Sequence, residues 1–559
     1  MISMIVVVSI LVLLIAYRFY GKFLVGQMKL DDSSPTPACQ INDGIDYIPA
    51  KPALLLGQHF SAIAAAGPIV GPILAATWFG WAPALLWIIF GSIFIGGVHD
   101  FSSLVVSIRH KAASIGKIVK EHMSHTSHIL FLIFVWLALM YVIIAFTDIT
   151  AQTFKTILGD VAYGAGIAAS SILYILAGML LGILLYIFKL KLWIATAVFL
   201  PLVLFIVWIG PHLPQPILSS LAHLSAKQWD IYLLIYCFIA SVIPMWLLLQ
   251  PRGYLGGWLL YLTIIIGLIG ALFGGFRIEY PAFNTQGLAS LVNGKLIFPI
   301  LFITVACGAC SGFHGIVSSG TTSKQLSKES DARIVGYGGM LLEGIVAILA
   351  LATVIMLPKG ANMLKADPNL IYANGLARYL NLIGIGFRIA FPFVLLAFST
   401  FVYDTLDVCT RLGRYIFQEI IGISTRIGGI IATLATLSLP LVFLMMTKEK
   451  GYLVAWPIFG TSNQLLASLI LLAITVWLIK GSKNVIYTVI PMIFMMAMTL
   501  WSLILQIITF LNVLPDISAG KQVKPDIIIS GIFGIILFIL SIWLIFEAIN
   551  VLVLKKSNR

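Results

Sequence analysis

Apolar runs of about 20 residues, the length that crosses a bilayer core as a helix, recur along this chain with little between them. They fall near 2–20, 53–78, 82–107, 128–150, 165–188, 191–210, 231–249, 255–276, 297–320, 337–357, 382–403, 427–446, 452–479, 485–513 and 527–554. Of 559 residues, 10% are charged and 60% hydrophobic, against about 25% charged in a soluble domain. The expectation is an all-α polytopic membrane protein with about fifteen transmembrane helices. A nucleotide or nucleic-acid module is excluded: there is no P-loop, and the basic residues are scattered between apolar runs. The first run has no basic stretch before it and no clear small-residue cleavage site after it, so it reads as a retained helix rather than a leader.

Most of the 34 Lys and Arg residues fall in alternate connections, among them Arg18, Lys22, Arg109, Lys111, Arg252, Lys324, Arg333 and Lys555. By the positive-inside rule those connections are cytoplasmic, which puts the N-terminus outside and the C-terminus inside. The net charge of +13 is then a matter of topology and asks for no anionic partner. No soluble domain interrupts the chain. The connection near 21–52 is polar and bears prolines, so an irregular cytoplasmic segment is expected there. The connection near 108–127 carries His110, His122 and His125, with His128 just beyond. Surface histidines at helical spacing without Cys or carboxylate partners read as solvated, so no metal is expected. Cys307 and Cys310 are read as small residues that ease close helix packing, and five cysteines so placed make no disulfide framework.

Three runs contain residues that lipid does not satisfy. The run 297–320 fills midway with Cys307, Gly308, Ser311 and His314 and continues into Ser318, Ser319 and Thr322. Irregular backbone at membrane depth survives only inside protein or beside a wet cavity. In transporters such breaks hold ions and substrates. A second break is expected in 53–78, where His59 and Ser61 precede Gly67-Pro68 and Gly71-Pro72, because each proline removes a helix amide. A third is expected at Pro457 and Gly460, with Asn463 and Gln464 either lining a pathway or bonding another helix. Asp100, Glu343 and Asp404 lie in or beside apolar runs, where an ionisable group is a functional hypothesis by default. Asp407, one turn from Asp404, is four residues before Arg411 and could pair with it. The candidate pathway is therefore His59, Ser61, Gly67, Pro68, Asp100, Ser311, His314, Ser318, Ser319, Thr322, Glu343, Asp404, Asn463 and Gln464.

Run 53–78 points inward to outward and run 231–249 the reverse, so runs 2–6 and 7–11 suggest a five-plus-five inverted repeat with substrate between the halves. The Gly67 region would then face Ser318, Ser319 or Thr322 at an ion site.

The segments GQHFSAIAAAGPIVGPILAA, GGVHDFSSLVVSIRHKAASIG, ACGACSGFHGIVSSGTTSKQLSKESDAR, YGGMLLEG, FVYDTLDVCTRLGRY and WPIFGTSNQLLA resemble the signature segments of the carbon starvation protein A family. The resemblance implies a bacterial inner-membrane transporter of the amino-acid/polyamine/organocation superfamily type. It also implies a larger N-terminal region, here 1–380, and a five-helix C-terminal region, here 381–559. Members are associated with peptide uptake during carbon starvation, and some relatives with proton-coupled pyruvate uptake. The expected function is ion-coupled import of a small organic nutrient, peptide or pyruvate, with H+ or Na+ as the coupling ion and no cofactor. A membrane enzyme using Cys, His and Ser of run 297–320 and a nutrient-sensing receptor are the readings of other classes.

Overall fold

The computed structural model describes residues 1–557 except 44–46, 159–160, 291–293, 424, 448–449, 520, 522 and 524. Among them, twelve helices are long and apolar enough to cross a membrane. The bent pair Leu55–Ile63 and Gly67–Phe79, inclined by 47°, passes the same test of length and composition when taken together. The two other expected runs are helical but do not reach that length in one piece. Ala226–Val242 has 17 residues, and 297–320 is divided into Ile297–Thr304 and Gly312–Gly320. Fifteen is thus the number of apolar runs, not of helices that span by length alone. The described strands are a two-residue hairpin, Thr285–Gln286 with Ala289–Ser290, in a connection.

Burial sorts the helices into a centre and a rim. The apolar window of Phe387–Ile421 is 94% buried, whereas those of Ile2–Met28 and Leu192–His212 are 28% buried. The rim helices present Leu11, Leu14, Phe19, Trp193 and Phe205 outward. In water such a surface is an aggregation liability; in lipid it is the solvated face. Four hydroxyls of the most buried helix are satisfied within that helix. Ser399, Thr400, Thr405 and Thr410 each donate to the carbonyl four residues back, which lets polar residues sit inside a buried helix.

Four helices pack side by side as a scaffold: His125–Phe154, Ala226–Val242, Phe387–Ile421 and Arg426–Met446. A second group is made of the two interrupted helices, 52–79 and 297–320, with Trp81–Arg109 and Arg333–Ile355. The inverted-repeat expectation paired run 53–78 with run 231–249. Ala226–Val242 is unbroken, however, and Pro244 lies past its end, so the interrupted helices that face each other are 52–79 and 297–320.

Candidate functional site

The first interruption spans Ala64 to Ala66. Gly67-Pro68 does not break the helix. Pro68 stands in the first turn of Gly67–Phe79, where its missing amide costs nothing and its fixed φ favours a start. The second interruption, Val305 to Ser311, lies against the first. A Cβ on Gly67 would collide with Cys307, and one on Gly71 would meet the Thr304 carbonyl at 2.5 Å. His59 Nδ1 lies 2.9 Å from Thr322 Oγ1. The two interrupted helices therefore run antiparallel, with Gly67 opposite Cys307 rather than opposite Ser318 or Ser319, and Thr322 opposite His59.

Backbone freed by the second break is satisfied by side chains. Gln464 Nε2 donates to the carbonyls of Phe302 (2.6 Å) and Val305 (3.2 Å). Trp87 donates to Val305 and Trp456 to Thr304. Asn463 Oδ1 accepts from the Phe313 amide at 3.0 Å, and its Nδ2 donates to Ser311 Oγ at 3.0 Å. Asn463 and Gln464 are thus clamps on another helix. The third break expected at Pro457 does not form: Gly451–Lys480 is one helix with Pro457 inside it. Gly460 serves close packing instead, since a Cβ there would collide with the Ile303 carbonyl.

Asp100, His314 and Glu343 meet on three different helices, each 0% exposed. His314 Nδ1 is 2.8 Å from Asp100 Oδ2, and its Nε2 is 3.1 Å from Glu343 Oε2. Apart from this ion-pair contact, neither Glu343 oxygen has a hydrogen-bond partner among the described residues. His99 Nδ1 holds the other Asp100 oxygen at 2.7 Å. His59 packs on Gly339, one turn before Glu343, and its Nε2 has no partner among the described residues. Ser318 Oγ, one turn beyond His314, is also buried without a partner among the described residues. Ser319 accepts from the Ile115 amide at 3.3 Å and holds a connection rather than joining this set. The helices bearing Asp100 and Glu343 both contain a π-helical turn before the carboxylate, at Ser92–Gly96 and Arg333–Tyr337; such turns recur at functional sites.

Asp404 belongs to a second cluster. Arg252, 0% exposed, donates to Asp404 Oδ1 from Nε (3.0 Å) and Nη2 (2.7 Å). Its Nη1 lies 2.8 Å from Asp407 Oδ2. Tyr236 OH donates to Asp407 at 3.0 Å, and Ser61 Oγ to Asp404 Oδ2 at 3.4 Å. The Asp407–Arg411 pair that the spacing allows is absent from this arrangement: Arg411 Nη2 donates to the Ala240 and Ile243 carbonyls. Arg252 was expected in a cytoplasmic connection. It stands instead in the first turn of Leu249–Phe273. The signal for it was the glycine four residues on: a Cβ on Gly256 would meet Asp404 Oδ2 at 2.7 Å.

His314 is hydrogen-bonded to Asp100 and Ser311 to Asn463, so these residues do not form a nucleophile–base pair. An open pocket of about 410 Å³ lies at the far end of the Gly67–Phe79 half-helix, lined by Thr77, Trp78, Tyr280, Asn284, Lys359 and Leu364. Two interrupted helices facing each other around buried imidazoles and carboxylates, in a multi-pass helical protein, define a membrane transporter.

The chain belongs to the carbon starvation protein CstA family, whose profile matches residues 1–372 and 359–502. It is 33% identical to the peptide transporter CstA of Helicobacter pylori strain J99, over 93% of this chain and 84% of that protein. It is 31% identical to the peptide transporter CstA of Escherichia coli K12, over 86% and 77%. It is 30% identical to the pyruvate/proton symporter BtsT of the same organism, over 89% and 81%. Among solved structures, a mutant manganese transporter from Eremococcus coleocola aligns over 91% of this chain and 99% of its own, at 14% identity and a TM-score of 0.47.

Proposed function

We propose that this protein is a proton-coupled importer of small organic nutrients, peptides in the first place, in the bacterial inner membrane, with its basic connections cytoplasmic. The observation that carries the reading is His314 held between Asp100 and Glu343, with no donor other than His314 facing the Glu343 oxygens among the described residues. Both imidazole nitrogens donate only in the imidazolium form. A proton on His314 therefore ties its half-helix to both carboxylate helices. A proton on Glu343 leaves a neutral imidazole that donates to Asp100 alone and accepts from Glu343. The two atoms that exchange the proton are 3.1 Å apart, and the link between half-helix and neighbours changes with the proton's position. Buried Asp, Glu and His sets of this kind serve as proton relays.

All four groups, His59, Asp100, His314 and Glu343, lie on the four-helix group that includes both interrupted helices. Links from that group to its surroundings include Ser61 with Asp404, Ser311 with Asn463, and the bonds of Gln464 and Trp456 to the Phe302, Val305 and Thr304 carbonyls. We read the transport step as rocking of this group against the scaffold. The repeat that fits has five equivalent pairs: 52–79 with 297–320, 81–109 with 333–355, 125–154 with 387–421, 226–242 with 426–446, and 249–273 with 451–480. The interruption shared by the first pair and the π-helical turns shared by the second support it, and helices 163–186 and 192–212 are then an insertion.

The Arg252 cluster holds one cation against two carboxylates, so it offers a substrate ammonium group more than a free carboxylate. This favours a peptide over pyruvate. The 30% identity to a pyruvate/proton symporter keeps pyruvate as the second reading. The test is uptake into proteoliposomes of labelled dipeptide and labelled pyruvate, under an imposed proton or sodium gradient. Proton-driven dipeptide accumulation is expected. Glu343→Gln should abolish it while leaving counterflow exchange. Equal loss of uptake and exchange would make Glu343 structural, and sodium dependence would remove the proton assignment.

A further inference from the structure

The connection between the Asp100 helix and the scaffold helix His125–Phe154 contains a short helix, Ile115–His122, started by Ser114, whose side chain accepts from the Lys117 amide. This helix lies on the half-helix Gly312–Gly320 through the Ile115 amide and Ser319. Beside it, Ser107 donates to Ser323 at 2.9 Å. The chain reverses over this stretch, and the reversal brings together residues twelve apart. His110 Nε2 and His122 Nε2 are 2.7 Å from each other. A ligand oxygen of the exposed Glu121 lies within 4.8 Å of both. These histidines are therefore not simply solvated, and a carboxylate accompanies them.

His110 Nδ1 donates to the Val106 carbonyl at 2.7 Å. That bond fixes the tautomer and leaves the Nε2 lone pair directed at His122. It is the outer-shell bond that a metal-ligating histidine ordinarily carries. We propose that His110, His122 and Glu121 form a binding site for a divalent first-row transition ion of the Zn2+ type. Two imidazoles and one carboxylate suit Zn2+, with a fourth position for water. Ca2+ and Mg2+ would ask for an all-oxygen set, and Cu(I) for thiolate or thioether. Ligand atoms around a tetrahedral Zn2+ lie roughly 3.3 Å apart, given bonds of about 2.0–2.1 Å, so the imidazoles part by about half an ångström and Glu121 closes in. The proton shared by the two Nε2 atoms is displaced to His122 Nδ1 or to water. Lys480, whose ammonium donates to the His122 carbonyl, opposes the dication, and the Glu121 carboxylate offsets it.

A bound ion would staple the end of the Asp100 helix to the helix that lies on Gly312–Gly320. Slower opening on that side rests on the proposed transport function; binding itself does not. The experiment is calorimetric titration of the tag-free, full-length protein in detergent with Zn2+, with hydrogen exchange of residues 115–122 followed with and without the ion. One ion per chain is expected, with slower exchange across 115–122. His110→Ala and His122→Ala should each weaken binding by at least about tenfold, as loss of a ligand does. Glu121→Gln, at an exposed position where folding is not at stake, should weaken it as well. His125→Ala should leave it unchanged. Absence of stoichiometric binding, or binding that survives both histidine changes and Glu121→Gln, would overturn the site.

Discussion

Arg252 is the residue whose replacement tests the packing of the transporter most sharply. It is fully buried and faces Asp404 and Asp407, which are 5% and 1% exposed. With Arg252→Gln both carboxylates lose their cation and keep only Ser61 at 3.4 Å and Tyr236 at 3.0 Å. Removing one partner of a buried ion pair costs about 3–5 kcal/mol, and here one residue serves two pairs. Asp407→Asn works in the opposite sense. It leaves one cation facing one carboxylate, so its cost is the weakened bond from Tyr236, about 1.5–3 kcal/mol at most, less the relief of the excess negative charge. The triple variant Arg252→Met, Asp404→Asn, Asp407→Asn removes all three charges and should recover most of the loss, because neutral replacement of a buried charge cluster is often harmless. The assay is unfolding of purified protein in mixed micelles of rising SDS content, read by tryptophan fluorescence. Arg252→Gln within about 0.5 kcal/mol of wild type, the range of a surface change, would refute the reasoning. So would a triple variant no more stable than Arg252→Gln.

Gln464→Leu strips the Phe302 carbonyl of its side-chain donor and leaves Val305 with Trp87 alone. A loss of about 1–3 kcal/mol is expected for the unsatisfied carbonyl, visible as a lower unfolding midpoint in the same micelle titration. Gly67→Ala drives a methyl group into Cys307 and should cost about 1–3 kcal/mol, as overpacking does. Cys307→Gly in the same chain should restore the midpoint, and failure to do so would place the strain elsewhere.

The candidate residues were legible to different degrees. Asp100, Glu343, His314 and Asp404 stood out because ionisable side chains are rare in apolar runs. Their grouping was not legible. Asp100 and Glu343 are joined by an imidazole from a third helix, and Asp404 answers to Arg252, 152 positions away. Pro68 and Pro457 look alike in sequence as helix breakers. One starts a half-helix, while the other sits within a continuous helix whose next turns, Gly460, Asn463 and Gln464, pack on the real break. Proline marks where an amide is missing, and only the neighbours decide whether the helix continues past it.

What the sequence determined by itself is the solvent and the elements. Apolar runs of bilayer length oblige every backbone group to be satisfied internally, and helices are the way a chain of this composition does so. What only the tertiary structure decided is which polar residues share a site. Lipid fixes the length of each helix but not its rotation or its neighbours. Those follow from close packing at glycines such as Gly67, Gly256 and Gly460, and from the need of each buried carboxylate and freed carbonyl to find a donor on another helix.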